Sequence, residues 1–173
     1  MLLTSRPRRR GVHAIESAFV YGLLMVLVAG LIVMAMGVFR YQEMAHLARE
    51  AARYAAVHGG QYQQENAAAI SAGTLPNVND NYLTQNVIKA RAVSLDPSKL
   101  TVQVQFNMSS GSYDWDDTAN NSDRWPSSQK TISGTNYSET NTVSVTLSYQ
   151  WFPEWFLAGP LTLTSTSVMP MCY

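Results

Sequence analysis

Residues 6–16 read Arg-Pro-Arg-Arg-Arg-Gly-Val-His-Ala-Ile-Glu, and residues 17–39 continue SAFVYGLLMVLVAGLIVMAMGVF without a single charge. This stretch decides the fold. The uncharged run is about 23 residues long. At ~1.5 Å per residue, a helix of that length crosses the ~30 Å hydrocarbon layer of a bilayer with some tilt. Everything after Arg40 is therefore read as a domain hung from a membrane helix.

Length and composition bound that domain. The chain has 173 residues, and the portion beyond Arg40 is enough for one small domain and not two. Formal net charge is zero, with 12 Lys and Arg against 12 Asp and Glu, but the leader is purely basic and the remainder slightly acidic. That balance argues against nucleic acid as a partner. The one cysteine, Cys172, excludes an internal disulfide framework, a CxxC pair and a Cys-rich zinc site.

Three membrane readings compete. A cleaved secretory signal would use Ala35-Met36-Gly37 as its small-x-small site and release a soluble domain, but the apolar run exceeds the usual ~7–15-residue h-region. An uncleaved signal anchor would keep the arginines in the cytoplasm by the positive-inside rule and place the C-terminal domain outside. The third reading also accounts for Glu16, an acid at the edge of the apolar run where ionisable groups are costly. A cut after Gly11 would make Val12 the new N-terminus and Glu16 the fifth residue. There the carboxylate could neutralise an α-amine of its own or a neighbouring subunit, and it would sit in the helix turn where the macrodipole favours negative charge.

At these residues the chain resembles a known class. A basic leader, Gly11, then Val12-His13-Ala14-Ile15-Glu16 and a long apolar helix resemble the processing site of type IV prepilins. Within that class, residues 11–19 resemble the TadE-like pilus-assembly proteins, pseudopilins of tight-adherence (Flp) pili. Flp pilins usually carry Tyr after the glutamate; Ser17 here fits a minor pseudopilin better than a major pilin. Ala48-Arg49-Glu50-Ala51-Ala52-Arg53-Tyr54-Ala55 is similar to a second run in that family, and the β-rich tail is similar to its C-terminal part. The resemblance implies that a membrane prepilin peptidase cuts between Gly11 and Val12. It also implies that Glu16 guides subunit docking and that the partners are other pilin or pseudopilin subunits and the assembly platform. The implied location is the bacterial cytoplasmic membrane, single pass, N-terminus cytoplasmic, with a role in pilus assembly and surface adhesion.

The rest of the chain is read from periodicity. Residues 40–58 contain no proline and are rich in Ala, Arg, Glu and Leu, so one helix is expected over 12–58, with Gly59 as its C-terminal cap. Tyr41, Ala45, Ala48, Ala52 and Ala55 form the expected packing stripe, with Glu43, Leu47, Arg49 and Arg53 off it. Within the apolar run, Ala14, Ala18 and Gly22 are spaced by four; they suit close helix packing, and equally match the ordinary composition of membrane helices. Gly73 to Asn77 reads as a turn. Asn79 or Asp80 caps a helix running through Tyr82, Leu83, Val87, Ile88 and Val93, broken by Asp96-Pro97. Three strands come next: 100–106 and 142–149 with clean alternation, then one opened by Pro160 over 161–168. Residues 107–141 read as a long polar loop, with room for a hairpin. The expected class is α+β: a long N-terminal transmembrane helix continuing into a small domain with a roughly three-stranded antiparallel sheet.

Chemistry-bearing patterns are few. Asp114, Asp116 and Asp117, with Asn120 and Asp123, form an acidic cluster that calcium could use, but the spacing departs from an EF-hand loop and no glutamate closes it. His13, His46 and His58 lie too far apart on one helix to share a metal. There is no nucleophile elbow, phosphate loop or HExxH pattern, so neither an enzyme nor a cofactor is expected. Outside the pilus reading stand a signal-anchored binding protein, with Trp115, Trp125 and Trp155 lining a ligand surface, and a secreted soluble domain.

Overall fold

The computed structural model describes residues 10–108, 111–114, 129–132, 135–138, 141–153 and 159–172. Helix α1 spans Arg10–Val57 without a break. Its N-terminal half is long and apolar enough to cross a membrane, and none of its most apolar stretch is covered by the rest of the protein. Short helices α2 (Gly60–Glu65) and α3 (Ala67–Ser71) come after it. Next are α4 (Asp80–Tyr82), a π-helical turn over Leu83–Ile88 and a 3₁₀ turn over Lys89–Arg91. Strands β1 (Leu100–Met108), β2 (Gly111–Asp114), β5 (Thr142–Trp151) and β6 (Leu161–Pro170) form one antiparallel sheet in the order β2-β1-β5-β6. Between β2 and β5, β3 (Gln129–Ile132) and β4 (Thr135–Ser138) pair as a separate hairpin inside the expected loop.

The class is α+β, as expected, with a fourth short strand on the sheet edge. Alternation explains the three long strands. Leu100, Val104 and Phe106 on β1, and Val143, Val145, Leu147 and Tyr149 on β5, turn one face inward and are buried; their Thr, Ser and Gln neighbours face out. β5 and β6 pair along their whole length, from Thr142 opposite Pro170 to Trp151 opposite Leu161.

The sheet packs upright along the outer half of α1. At one end, the backbone N–H of Cys172 donates to the Ala56 carbonyl at 3.0 Å. This satisfies one of the carbonyls that a helix C-terminus leaves open. At the other end, Trp151 lies against Gly37. From 37 to 56 the helix rises about 29 Å, and the nine steps of β5 rise about 30 Å. Strand and helix therefore match in length. The covered face of α1 is a broad band: Val33, Met44, Leu47, Ala48, Ala51, Ala52, Ala55 and Ala56. Ala48, Ala52 and Ala55 are on it as expected. Tyr41 is 48 % exposed, and Leu47, placed off the stripe by the sequence, is buried. A four-three stripe is narrower than the apolar arc a sheet covers, so the flanking rows at 44, 47, 51 and 56 are drawn in too.

Two local expectations are corrected. Gly59 is not a left-handed cap; the helix closes through a 3.2 Å bond from the His58 N–H to the Ala55 carbonyl, and the His58 ring nitrogen lies 2.8 Å from the Tyr54 carbonyl. The described glycine with positive φ is Gly73, at 72°. It turns the chain out of α3 while Thr74 N–H returns to the Ala69 carbonyl. Second, Asn79 does cap the next helix, its side-chain oxygen accepting from Tyr82 N–H at 2.7 Å. That helix, however, ends at Arg91, and Val93 is almost wholly exposed. The cause is Glu43, whose carboxylate accepts from the backbone N–H of Val93 (2.7 Å) and Ser94 (3.1 Å) and from the Ser94 hydroxyl. Those donors are taken by α1 and cannot continue a helix.

Candidate functional site

The inner half of α1 presents the sequence-predicted residues on an open surface. Gly11 and Val12 lie in its first turn; Val12 is 70 % exposed, and nothing approaches the position a side chain at Gly11 would fill. Glu16 is solvent-facing, with a carboxylate oxygen 3.8 Å from His13 Nδ1. The Ser17 hydroxyl donates to the His13 carbonyl at 2.7 Å, so the residue that comes after the glutamate bonds back into its own helix. Ala14, Ala18 and Gly22 share one face, and the space beside Gly22 is empty. Large apolar side chains surround them, among them Phe19, Leu23, Leu24 and Met25. Together they form a continuous apolar surface that the rest of the described protein leaves uncovered, the kind of surface that commonly marks contact with a membrane or another protein.

The junction between the halves was not legible as a site. A Cβ at Gly37 would lie 2.6 Å from the Trp151 ring, so only glycine lets the indole come this close to the helix. The Arg40 guanidinium sits 5.4 Å from the centre of the same ring, and Lys99 Nζ sits 5.3 Å from the Phe152 ring, both within cation–π reach. One turn below, Val33 belongs to the core, so the domain reaches six residues into the uncharged run. In the sequence, Gly37 is only one more small residue of an apolar helix; its partner is 114 positions away.

Further out, an open groove of about 620 Å³ runs between α1 and the Lys89–Arg91 turn, lined by His46, Arg49, Glu50, Arg53, Tyr54, His58 and Arg91 among others. Arg91 pairs with Glu50, and Arg49 bonds the Ala45 carbonyl at 3.1 Å. Tyr54 stacks on His58 with centroids 4.1 Å apart and faces Tyr82 at 6.3 Å. Burial, then the hydrogen bond with Tyr82, pushes its hydroxyl up to about 12, so it stays neutral at physiological pH. The groove is cationic. Periodicity marked Arg49 and Arg53 only as residues off the packing stripe.

Glu43 is partly buried. Burial alone would raise its pKa, but the hydrogen bonds from Ser94 and Val93, with the Arg40 charge, outweigh it and hold the carboxyl below its ordinary value. Among the described residues no group of His, Cys, Asp and Glu could hold a metal. Of the acidic cluster, the Asp114 backbone ends β2, while Asp116 and Asp117 lie outside the described residues, as do Trp115, Trp125 and Trp155. Cys172 is free and exposed. Neither a family of proteins, nor a curated protein, nor a solved structure matches this chain.

Proposed function

We propose that this protein is a minor pilin or pseudopilin of a tight-adherence, type IV-like pilus system, without enzymatic activity, acting in pilus assembly and surface adhesion. The observation that carries the reading is the state of α1: one unbroken helix whose outer half is buried under its own sheet while its inner half is uncovered and apolar. A subunit that moves from a bilayer into a helical bundle needs such a helix, because both environments cover the same surface. The resemblance of residues 11–19 and 48–55 to TadE-like proteins supports the same assignment. So does the exposure of Gly11, Val12 and Glu16, which leaves a peptidase and a neighbouring subunit access to them. In this reading the N-terminus is cytoplasmic, the sheet domain lies outside the bacterial cytoplasmic membrane, and processing exposes the Val12 amine four residues before Glu16.

The packing weighs against the secreted-domain reading. A cut after Gly37 would strip Val33 from the core and the backbone from beneath Trp151. A tethered binding protein is the second reading, and the cationic groove beside Arg49, Arg53 and Arg91 is the feature that favours it. Glu16→Ala separates the two. The variant is expected to be processed and membrane-inserted like the parent protein but at least tenfold depleted from the pilus or assembly complex on co-purification. Undiminished incorporation would contradict the docking role.

A further inference from the structure

The domain overlaps the uncharged run. Val33 lies in the core although the run continues to Phe39, an overlap of about 9 Å along the helix. Phe39 is 60 % exposed and Phe152 50 % exposed at this same level, fixed there by the contact of Trp151 with Gly37. Arg40 and Lys99, the cations at this level among the described residues, each stack on an aromatic ring. Aromatic rings paired with cations at the end of an apolar helix suit the headgroup layer, where the rings sit at the polar–apolar boundary and long cations reach phosphate.

We propose that this rim, formed by Phe39, Arg40, Lys99, Trp151 and Phe152, is a second membrane contact that seats the base of the domain in the headgroups of anionic phospholipid. The proposal rests on the reading of the inner half of α1 as membrane-embedded and adds a position and an orientation to it. Two rulers agree on the position. Counting inward from Gly37, about 20 residues span the hydrocarbon layer, which puts the far boundary at Ser17, next to Glu16, the nearest ionisable side chain on that side. The charge pattern and the packing of Trp151 are independent, and both place the outer boundary between Gly37 and Arg40. The helix alone would leave the whole domain free to tilt; a rim that adds Lys99, Trp151 and Phe152 from other segments to Phe39 and Arg40 of α1 holds it upright on the surface.

The test uses the full chain with Cys172→Ser, spin-labelled one site at a time at Phe152→Cys, Leu27→Cys or Val57→Cys. Each is reconstituted in phosphatidylcholine bilayers with and without phosphatidylglycerol. Accessibility to oxygen and to a water-soluble nickel chelate gives depth. The expected result puts position 27 deep in lipid, 57 in water and 152 at the headgroup boundary. Phosphatidylglycerol should draw 152 deeper, and the Arg40→Gln, Lys99→Gln double variant should abolish that lipid dependence. A label at 152 as water-accessible as that at 57, with 27 in lipid, overturns the rim and leaves the membrane helix standing. Protection of 152 from both relaxing agents would show contact with protein and also overturn it. A water-accessible label at 27 would remove the membrane reading itself.

Discussion

The two halves of α1 share one backbone and opposite surroundings. In the outer half the buried residues are mostly alanines, and the bulk that fills the core comes from the sheet: Leu100, Val104, Phe106, Val143, Val145, Leu147 and Tyr149. In the inner half the large side chains are on the helix itself, and Phe19 and Leu23 are 81 % and 73 % exposed. Interiors fill to a fixed density. Where the sheet supplies volume the helix must be slim; where the chain supplies no partner, the helix carries its own apolar bulk to an environment outside the chain.

The largest expected effects separate the halves. Leu147→Ala empties a fully buried site and should cost the domain about 2–5 kcal/mol, read by denaturant unfolding in detergent, with membrane insertion unchanged. Leu27→Arg should do the reverse, penalising insertion by about 2.5–3.5 kcal/mol in a membrane-partition assay while leaving the domain's unfolding midpoint in place. If Leu27→Arg destabilised the domain as much as Leu147→Ala, the halves would not be independent.

Gly37→Ala probes the junction. The added methyl meets the Trp151 ring, so the indole or the helix must move, at a cost of about 1–3 kcal/mol and with a shift in Trp151 emission. An unchanged midpoint would mean that the contact is loose. The smallest effect concerns Glu43. Its carboxyl has a folded-state pKa below the ordinary 4.5, so the folded protein binds this proton less readily than the unfolded chain. The stabilisation is complete above about pH 4.5 and is lost as pH falls through the lower folded-state value. Glu43→Gln should flatten that part of the stability–pH curve, and a curve that keeps its slope would assign the acid sensitivity elsewhere.

The elements set by short-range pattern were readable without the structure. The uncharged run, the alternation at 100–106 and 142–149, and Pro160 ahead of a strand all depend on neighbours in sequence. The helix expected over 12–58 matches the observed Arg10–Val57 to within two residues at its start and one at its end. What escaped depends on distant partners. Val93 fits a helical period, yet its N–H is held by a carboxylate 50 positions earlier. Gly59 has the composition of a cap, but the His58 ring reaches the Tyr54 carbonyl first. Gly37 takes its meaning from Trp151. The residues proposed for processing and docking, Gly11, Val12 and Glu16, could be named from the sequence because they lie in one linear segment; the rim and the cationic groove could not, because each is assembled from three separate segments.

The measurement that tests the central claim most directly is the mass of the N-terminus of the protein extracted from its native membrane. The account predicts a chain beginning at Val12, cut after Gly11 and retaining Glu16 four residues on. A chain beginning at Met1 would contradict it and leave a plain tether; one beginning at Val38 would contradict it and sever the helix at the Gly37–Trp151 contact.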